Sequence, residues 1–220
     1  MVLVSSALLL LKPYLGTLSE TEVTGELIAL PEPRRTGEMS VEEAIAERRS
    51  IRSYRDEPLT LSELSQLLWA AQGITSANGY RSAPSAGPTY PFEVYVVIGK
   101  VTGISPGVYH YIPEKHALEI VKSGDFRKAL QDACLGQEWV GNAPVDIVLV
   151  AFYERTTKVY GERGIRYVHM EAGHIGQNIY LEATALGLGT VAVGAFDDRA
   201  VAKILGTEGN PLYVFPVGRP

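Results

Sequence analysis

Residues 165–195 read IRYVHMEAGHIGQNIYLEATALGLGTVAVGA, and they decide between two architectures. Ile165, Val168, Ala172, Ile175, Ile179, Ala183 and Leu186 recur at steps of three or four, the spacing of one apolar helix face. A helix from about Ile165 to Leu186 spans roughly 30 Å at 1.5 Å per residue, enough for a central core or subunit-interface element. Gly187 and Gly189 stop it, and Thr190 to Val193 reads as a short strand. The glycines at 187, 189 and 194 resemble a dinucleotide-binding loop at first sight. The third, however, falls five residues after the second, and the order is helix then strand, the reverse of what such a loop requires. A Rossmann-type site is therefore rejected. Gly194 and Ala195, at the strand's end, remain as backbone able to meet the edge of a flat ring.

The neighbouring segments extend this reading. Val145 to Phe152 is a nearly continuous apolar run, the pattern of a strand buried on both faces. Phe92 to Ile98 (FEVYVVI) is β-branched and aromatic. Gly107 to Ile112 and Ala117 to Lys122 flank Pro113-Glu114-Lys115-His116 and predict a hairpin. Ser40-Val41-Glu42-Glu43 and Thr60-Leu61-Ser62-Glu63 are capping boxes, in which cap hydroxyl and glutamate satisfy each other's backbone amides. The first predicts a helix to about Arg49. The second predicts one with Leu64, Leu67, Leu68 and Ala71 on its apolar face, ending at Gly73. Phe126 to Leu135 forms a helix, Asp197 or Asp198 caps another to about Leu205, and Leu212 to Val217 is a last strand. Helices and strands thus intersperse around a hairpin, which argues for an α+β sheet packed by helices over a doubly wound array. Residues 1–38, with Pro13, Pro31, Pro33 and three glycines, are expected as an extended N-terminal arm, and 39–220 as the domain.

Composition narrows the function. A chain of 220 residues suits one domain with a real core. Its net charge of −5 gives no general attraction to nucleic acid, so any phosphate-bearing ligand must be held by local cations. The single cysteine, Cys134, excludes an internal disulfide framework, fits a reducing, cytoplasmic setting, and reads as a small core residue. Val2 to Leu11 is apolar but about half the length a bilayer span needs, and lacks the flanks of a signal peptide. It is expected to pack on the body or on a partner subunit.

Arg48-Arg49-Ser50-Ile51-Arg52 closes the first helix. Cations suit a helix C-terminus for structural reasons alone. Three guanidinium groups and a hydroxyl within five residues also form a phosphate-binding set, since guanidinium holds phosphate in a bidentate way. Arg81 to Pro88 (RSAPSAGP) is a loop of small residues, either a surface turn or backbone that can approach a flat ligand. Arg219, two residues past a strand, is either solvated or a further phosphate charge. His169 and His174 sit about 140° apart around a helix and cannot share a metal. His110 and His116 lie in or beside the hairpin, and no metal site is expected.

Taken in order, these segments resemble the nitroreductase superfamily, closest to its SagB-type dehydrogenase branch. The matching stretches are RRSIRSY (48–54), LSQLLWAAQGIT (64–75), RSAPSAGPTYPFEVYVV (81–97), APVDIVLV (143–150), residues 171–197 and PVGRP (216–220). The resemblance implies an α+β fold with a mainly antiparallel central sheet, an obligate homodimer, and FMN in a cleft shared by both subunits. Carried over by position, Arg48 and Ser50 hold the FMN phosphate with Arg49 beside them. Arg52 reaches the ribityl chain and the N1/C2 edge. Pro84, Ser85, Ala86 and Gly87 contact the flavin from the second subunit. Gly194 and Ala195 place backbone amides near N5 and O4, Arg219 completes the phosphate site, and Gln137 matches a pyrimidine-edge position. NADH or NADPH is the implied donor, in a ping-pong cycle with a small-molecule acceptor. No protein nucleophile is expected, because the cofactor carries the hydride. Many members carry an acidic residue where Gly194 stands. Its absence turns attention to an alternative, oxidation of an azoline ring in a modified peptide. A non-enzymatic flavin-binding module is a third expectation.

Overall fold

The computed structural model describes residue 25 and residues 27–220. The expectation for Val2 to Leu11 lies outside the described residues. The described chain forms seven strands: β1 (Leu27–Ala29), β2 (Phe92–Ile98), β3 (Gly107–Ile112), β4 (Ala117–Ser123), β5 (Val145–Ala151), β6 (Gly189–Thr190) and β7 (Asn210–Gly218). They make one sheet in the order β1-β4-β3-β2-β5-β7-β6, every pair antiparallel. Seven helices pack on it: α1 (Val41–Glu47), α2 (Leu61–Gln72), α3 (Arg127–Ala133), α4 (Glu138–Asn142), α5 (Glu154–Tyr160), α6 (Arg163–Ala185) and α7 (Asp198–Leu205).

The two-residue period of a strand sorts the core into two layers. Val94, Val96, Ile147, Leu149 and Phe215 face Leu64, Leu67, Leu68, Val168, Ile175 and Ile179 of α2 and α6. Val97, Val148, Val150 and Val214 face Leu130, Val140, Val201 and Leu205 of α3, α4 and α7, together with Cys134 just past α3. β5 lies between β2 and β7 and is buried along its whole length, as its unbroken apolar run requires. Both capping boxes form: the Ser40 hydroxyl accepts from the Glu43 amide, and Thr60 from Glu63. Asp197 caps α7 through the Ala200 amide. Cys134 is buried, and burial pushes its thiol up to about 12, which removes it as a nucleophile.

Several elements differ from the sequence expectation. Leu27–Ala29, inside the stretch expected as a lead-in, joins the sheet as its edge strand on β4, and the Leu30 amide donates to His116 O. The sheet thus begins ahead of Ser40. Three residues before Pro31 are too few for a visible alternation. α1 ends at Glu47, and Arg48 is already extended (φ −50°, ψ 125°), so the arginines follow the helix rather than forming its last turn. The expected strand over Thr190 to Val193 is reduced to Gly189–Thr190 plus a separate bridge between Val193 and Val214. α4 and α5 have no side-chain cap, so their sequences carry no start signal. Ile165, placed on the apolar stripe, is 45% exposed.

Candidate active site

The cationic segment is seated on the β6 end of the sheet. Ser50 bridges Thr190 in parallel, and the Ile51 amide donates to Thr190 O at 2.9 Å. Gly189 makes this approach possible, because a Cβ there would stand 2.7 Å from the Ile51 side chain. The Tyr54 hydroxyl lies 2.8 Å from Ile51 O and 3.0 Å from Pro216 O. Burial raises that phenol above its ordinary range, so it stays a donor.

The four expected arginines differ in what they are bound to. Arg48 lies over the Tyr180 ring at 5.0 Å and Arg52 over the Trp139 ring at 5.7 Å. Among the described residues neither makes an ion pair. A ring face orients a guanidinium without neutralising it. Arg49 donates to the backbone of Ala46 and Arg48. Arg219 donates to both oxygens of Glu63, at 2.8 and 3.1 Å, and stands 3.5 Å from Glu57. Among the described residues, Arg48, Arg49 and Arg52 therefore lack a counter-ion, but Arg49 is engaged by backbone carbonyls, which leaves the Arg48 and Arg52 guanidinium groups open, with Ser50 between them in sequence.

Tyr180 organises this end. Its hydroxyl accepts from the Ala192 amide at 2.8 Å and lies 3.0 Å from Ser50 Oγ, while its ring carries Arg48. Removing the hydroxyl by Tyr180→Phe leaves the ring but frees Ser50 and Ala192. At about 0.5–1.5 kcal/mol per hydrogen bond, losing the two is expected to cost roughly 1–3 kcal/mol of stability. Chemical denaturation checks this, and an unchanged unfolding midpoint refutes it.

Gly194 and Ala195 are exposed just beyond the Val193–Val214 bridge. Gln137, the N-cap residue of α4, donates through Nε2 to Ala195 O and Cys134 O, both at 2.9 Å. The same short helix supplies Trp139 beneath Arg52, and the buried Trp139 Nε1 has no hydrogen-bond partner among the described residues. The structure thus brings Arg48, Ser50, Arg52, Gln137, Gly194 and Ala195 to one region of β6, α4 and α6. Tyr180 and Trp139 were missed because nothing local marks them. The available hint for Tyr180 was an aromatic residue on the long helix, next to the apolar stripe but off it.

The Pro84–Gly87 loop lies further along α6. Pro84 O is 3.4 Å from His174 Nδ1, and Ser85 Oγ accepts from the Tyr90 amide at 3.0 Å. Ala86 O accepts from the Thr89 hydroxyl at 3.0 Å. Gly87 has φ +56°, and a Cβ there would stand 2.4 Å from the Tyr160 hydroxyl. His174 and Tyr180 are six residues apart, about 9 Å along the helix axis. Separately, a groove of about 700 Å³ between residues 34–41, α1, α2 and α6 contains none of the expected site residues.

Among the described residues no group of three or more histidine, cysteine, aspartate or glutamate side chains is placed to hold a metal. His169 bonds the Tyr153 hydroxyl, His110 pairs with Glu93, and His116 packs on Ser65 and Tyr111. No described helix is long and apolar enough to cross a membrane.

Comparison with known proteins bears on the family and the fold. The nitroreductase family model matches residues 45–219. The chain is 50% identical over 182 residues to the Methanocaldococcus jannaschii protein MJ1384, which carries a nitroreductase name, covering 83% of this chain and 92% of that one. It is 33% identical over 160 residues to the trifolitoxin-processing protein TfxB of Rhizobium leguminosarum, covering 67% of this chain and 43% of that one. A crystal structure of a Ralstonia eutropha protein, also under a nitroreductase name, superposes with a TM-score of 0.77 at 32% identity, covering 92% of this chain and 98% of that one. The chain belongs to the nitroreductase family of oxidoreductases. The likeness to TfxB is consistent with the SagB-type branch.

Proposed function

We propose that this protein is an FMN-dependent oxidoreductase that moves hydride between NADH or NADPH and an organic acceptor in a ping-pong cycle. One observation carries the reading. Among the described residues, Arg48 and Arg52 stand without counter-ions in a chain of net charge −5, each oriented by an aromatic ring. Two guanidinium groups oriented by rings and free of ion pairs are able to receive an anion. FMN, when bound, supplies the hydride chemistry at its ring system.

The chain's own residues bind and orient. Arg48 and the Ser50 hydroxyl hold the phosphate. Arg52 faces the N1/C2 edge, where a fixed cation favours the negative charge that reduction brings. Gly194 and Ala195 offer backbone amides at N5 and O4. Gln137, pinned to Ala195 O and Cys134 O, presents its amide oxygen to the pyrimidine edge. Arg219 joins the phosphate site only by leaving Glu63, so it contributes less than Arg48. Pro84 to Gly87 come from the second subunit of a homodimer, and a cleft shared in this way is only half built in one chain.

The test is a spectrum. The purified protein is expected to be yellow, or to take up FMN, and to bleach with NADH or NADPH in the absence of oxygen. A colourless protein that takes up no FMN ends the reading. The similarity to TfxB and the glycine at 194 favour a second reading, dehydrogenation of an azoline ring in a modified peptide. Anaerobic bleaching by a thiazoline peptide and not by either nicotinamide would select this second reading.

A further inference from the structure

α6 carries one carboxyl into the interior. Glu171 is 2% exposed, and Gln72 at the end of α2 faces it together with Ser85 and Arg81 of the loop segment. The polar contacts around it are incomplete. Glu171 Oε1 and Gln72 Nε2 are both buried without a hydrogen-bond partner among the described residues. The other end of the Gln72 amide is fixed, since its Oε1 accepts from Arg81 at 3.0 Å. Arg81 also pairs with Glu114 at 3.0 Å and lies over the Tyr90 ring at 4.7 Å. Gln72 is thus held with its amino group toward the carboxyl.

The loop side has a matching feature. Ser85 Oγ accepts the Tyr90 amide, and Tyr90 is held at φ +42°, a conformation bulky residues avoid. With that acceptor position filled, the Ser85 hydroxyl proton is left to donate, and Glu171 is the acceptor facing it. An ionised Glu171 accepts from both Ser85 and Gln72. A protonated one carries a proton of its own and gives up part of that capacity.

We propose that Glu171 is a positioning residue for the Pro84–Gly87 loop, and that its ionisation fixes the loop by completing hydrogen bonds to Ser85 and Gln72. The proposal rests on the flavin reading only for its consequence, which is tighter FMN binding when the loop is fixed. Burial brings the Glu171 carboxyl up to about 7, opposed by Ser85, Arg81 and Gln72, so the change falls near neutrality. Other charged or titratable groups on the facing elements are Glu114, whose charge Arg81 offsets, Tyr90 beneath the Arg81 guanidinium, Glu63 at the far end of α2 on Arg219, and His174, one turn further along α6 beside Pro84 O.

The deciding experiment uses flavin-free protein. Amide resonances of Ser85, Gly87 and Tyr90 and the Gln72 side-chain amide are followed by NMR over roughly pH 5.5 to 8.5, a span that brackets the raised carboxyl. In the unmodified protein they are expected to titrate together with a midpoint near 7. In Glu171→Gln that titration is absent. In Ser85→Ala the remaining probes titrate at higher pH, because the anion has lost a donor. The Ser85→Ala protein keeps the idea falsifiable should the Glu171→Gln protein fail to fold. Resonances flat through neutrality, or a titration surviving in Glu171→Gln, overturn it. FMN dissociation constants at about pH 6 and pH 8 form a second arm. Because the FMN phosphate itself ionises near pH 6, Glu171→Gln is the reference. The unmodified protein is expected to gain several-fold more affinity across that range than Glu171→Gln. Equal gains remove the link to ligand binding and overturn that half of the proposal. Absence of FMN binding at either pH ends the flavin reading while leaving the loop titration to stand or fall by itself.

Discussion

Arg48→Ala is expected to weaken FMN binding by roughly 10- to 100-fold. A hydrogen bond to a charged group is worth about 1.5–3 kcal/mol, and each 1.4 kcal/mol is a factor of ten. The full value applies because Arg48 has no carboxylate among the described residues to fall back on. Its guanidinium is held over Tyr180 and carries its charge unspent. Arg48→Lys recovers only part of the loss, since an ammonium neither stacks as well nor binds phosphate in a bidentate way. Arg49→Ala changes affinity little, because Arg49 is engaged with its own backbone. Arg52→Ala has a different signature. It removes the cation near the N1/C2 edge and lowers the flavin reduction potential. Calorimetry and a reduction titration separate the two effects, and full affinity in Arg48→Ala contradicts the phosphate assignment.

Asp146→Asn is expected to stabilise the protein, increasingly so as pH rises. Asp146 lies in β5 opposite Val97 and Pro216, fully buried, with no hydrogen bond to either oxygen among the described residues. Burial raises its carboxyl well above the usual range. The opposing charge that acts on it, Arg127, is committed to Asp125 at 2.6 Å and cannot compensate. The folded state therefore keeps a proton that the unfolded chain releases above about pH 4. The contribution of Asp146 to stability is most favourable below that point and falls as pH rises toward the folded-state value, by up to about 1.4 kcal/mol per pH unit. Asparagine has nearly the same shape and does not ionise, so this slope disappears. Chemical denaturation at about pH 5, 7 and 8, all above the unfolded-state value, measures it. The advantage of the variant should widen with pH. Glu171, also raised, contributes equally to both proteins and cancels. Parallel stability curves would show that Asp146 does not stay protonated.

Most of the fold was legible in the sequence because its signals are local. The runs at 92–98 and 145–151 fix the two central strands, and Ser40, Thr60 and Asp197 announce three helices through their own side chains. β1, α4 and α5 carry no such signal, being short and held by what they touch. The candidate site divides the same way. Arg48, Ser50, Arg52 and Gly194 are visible as residue types at a turn and a strand end. That Arg48 is held by Tyr180 and Arg52 by Trp139 is set by tertiary packing across 132 and 87 residues of chain, which no spacing rule reports. The engagement of Arg219 by Glu63 is hidden for the same reason, since in the sequence Glu63 reads only as the second half of a capping box.

The Tyr180 hydroxyl touches both Ser50 and the backbone at Ala192, two residues before Gly194. In the proposed reading these are opposite ends of one ligand. The consequence is thermodynamic reciprocity. Whatever factor the phosphate end lends to the ring end by ordering Tyr180, the ring end returns in equal measure. Phosphate affinity and ring affinity are then not two properties of this protein but two views of a single linked equilibrium, with one phenol as the linkage.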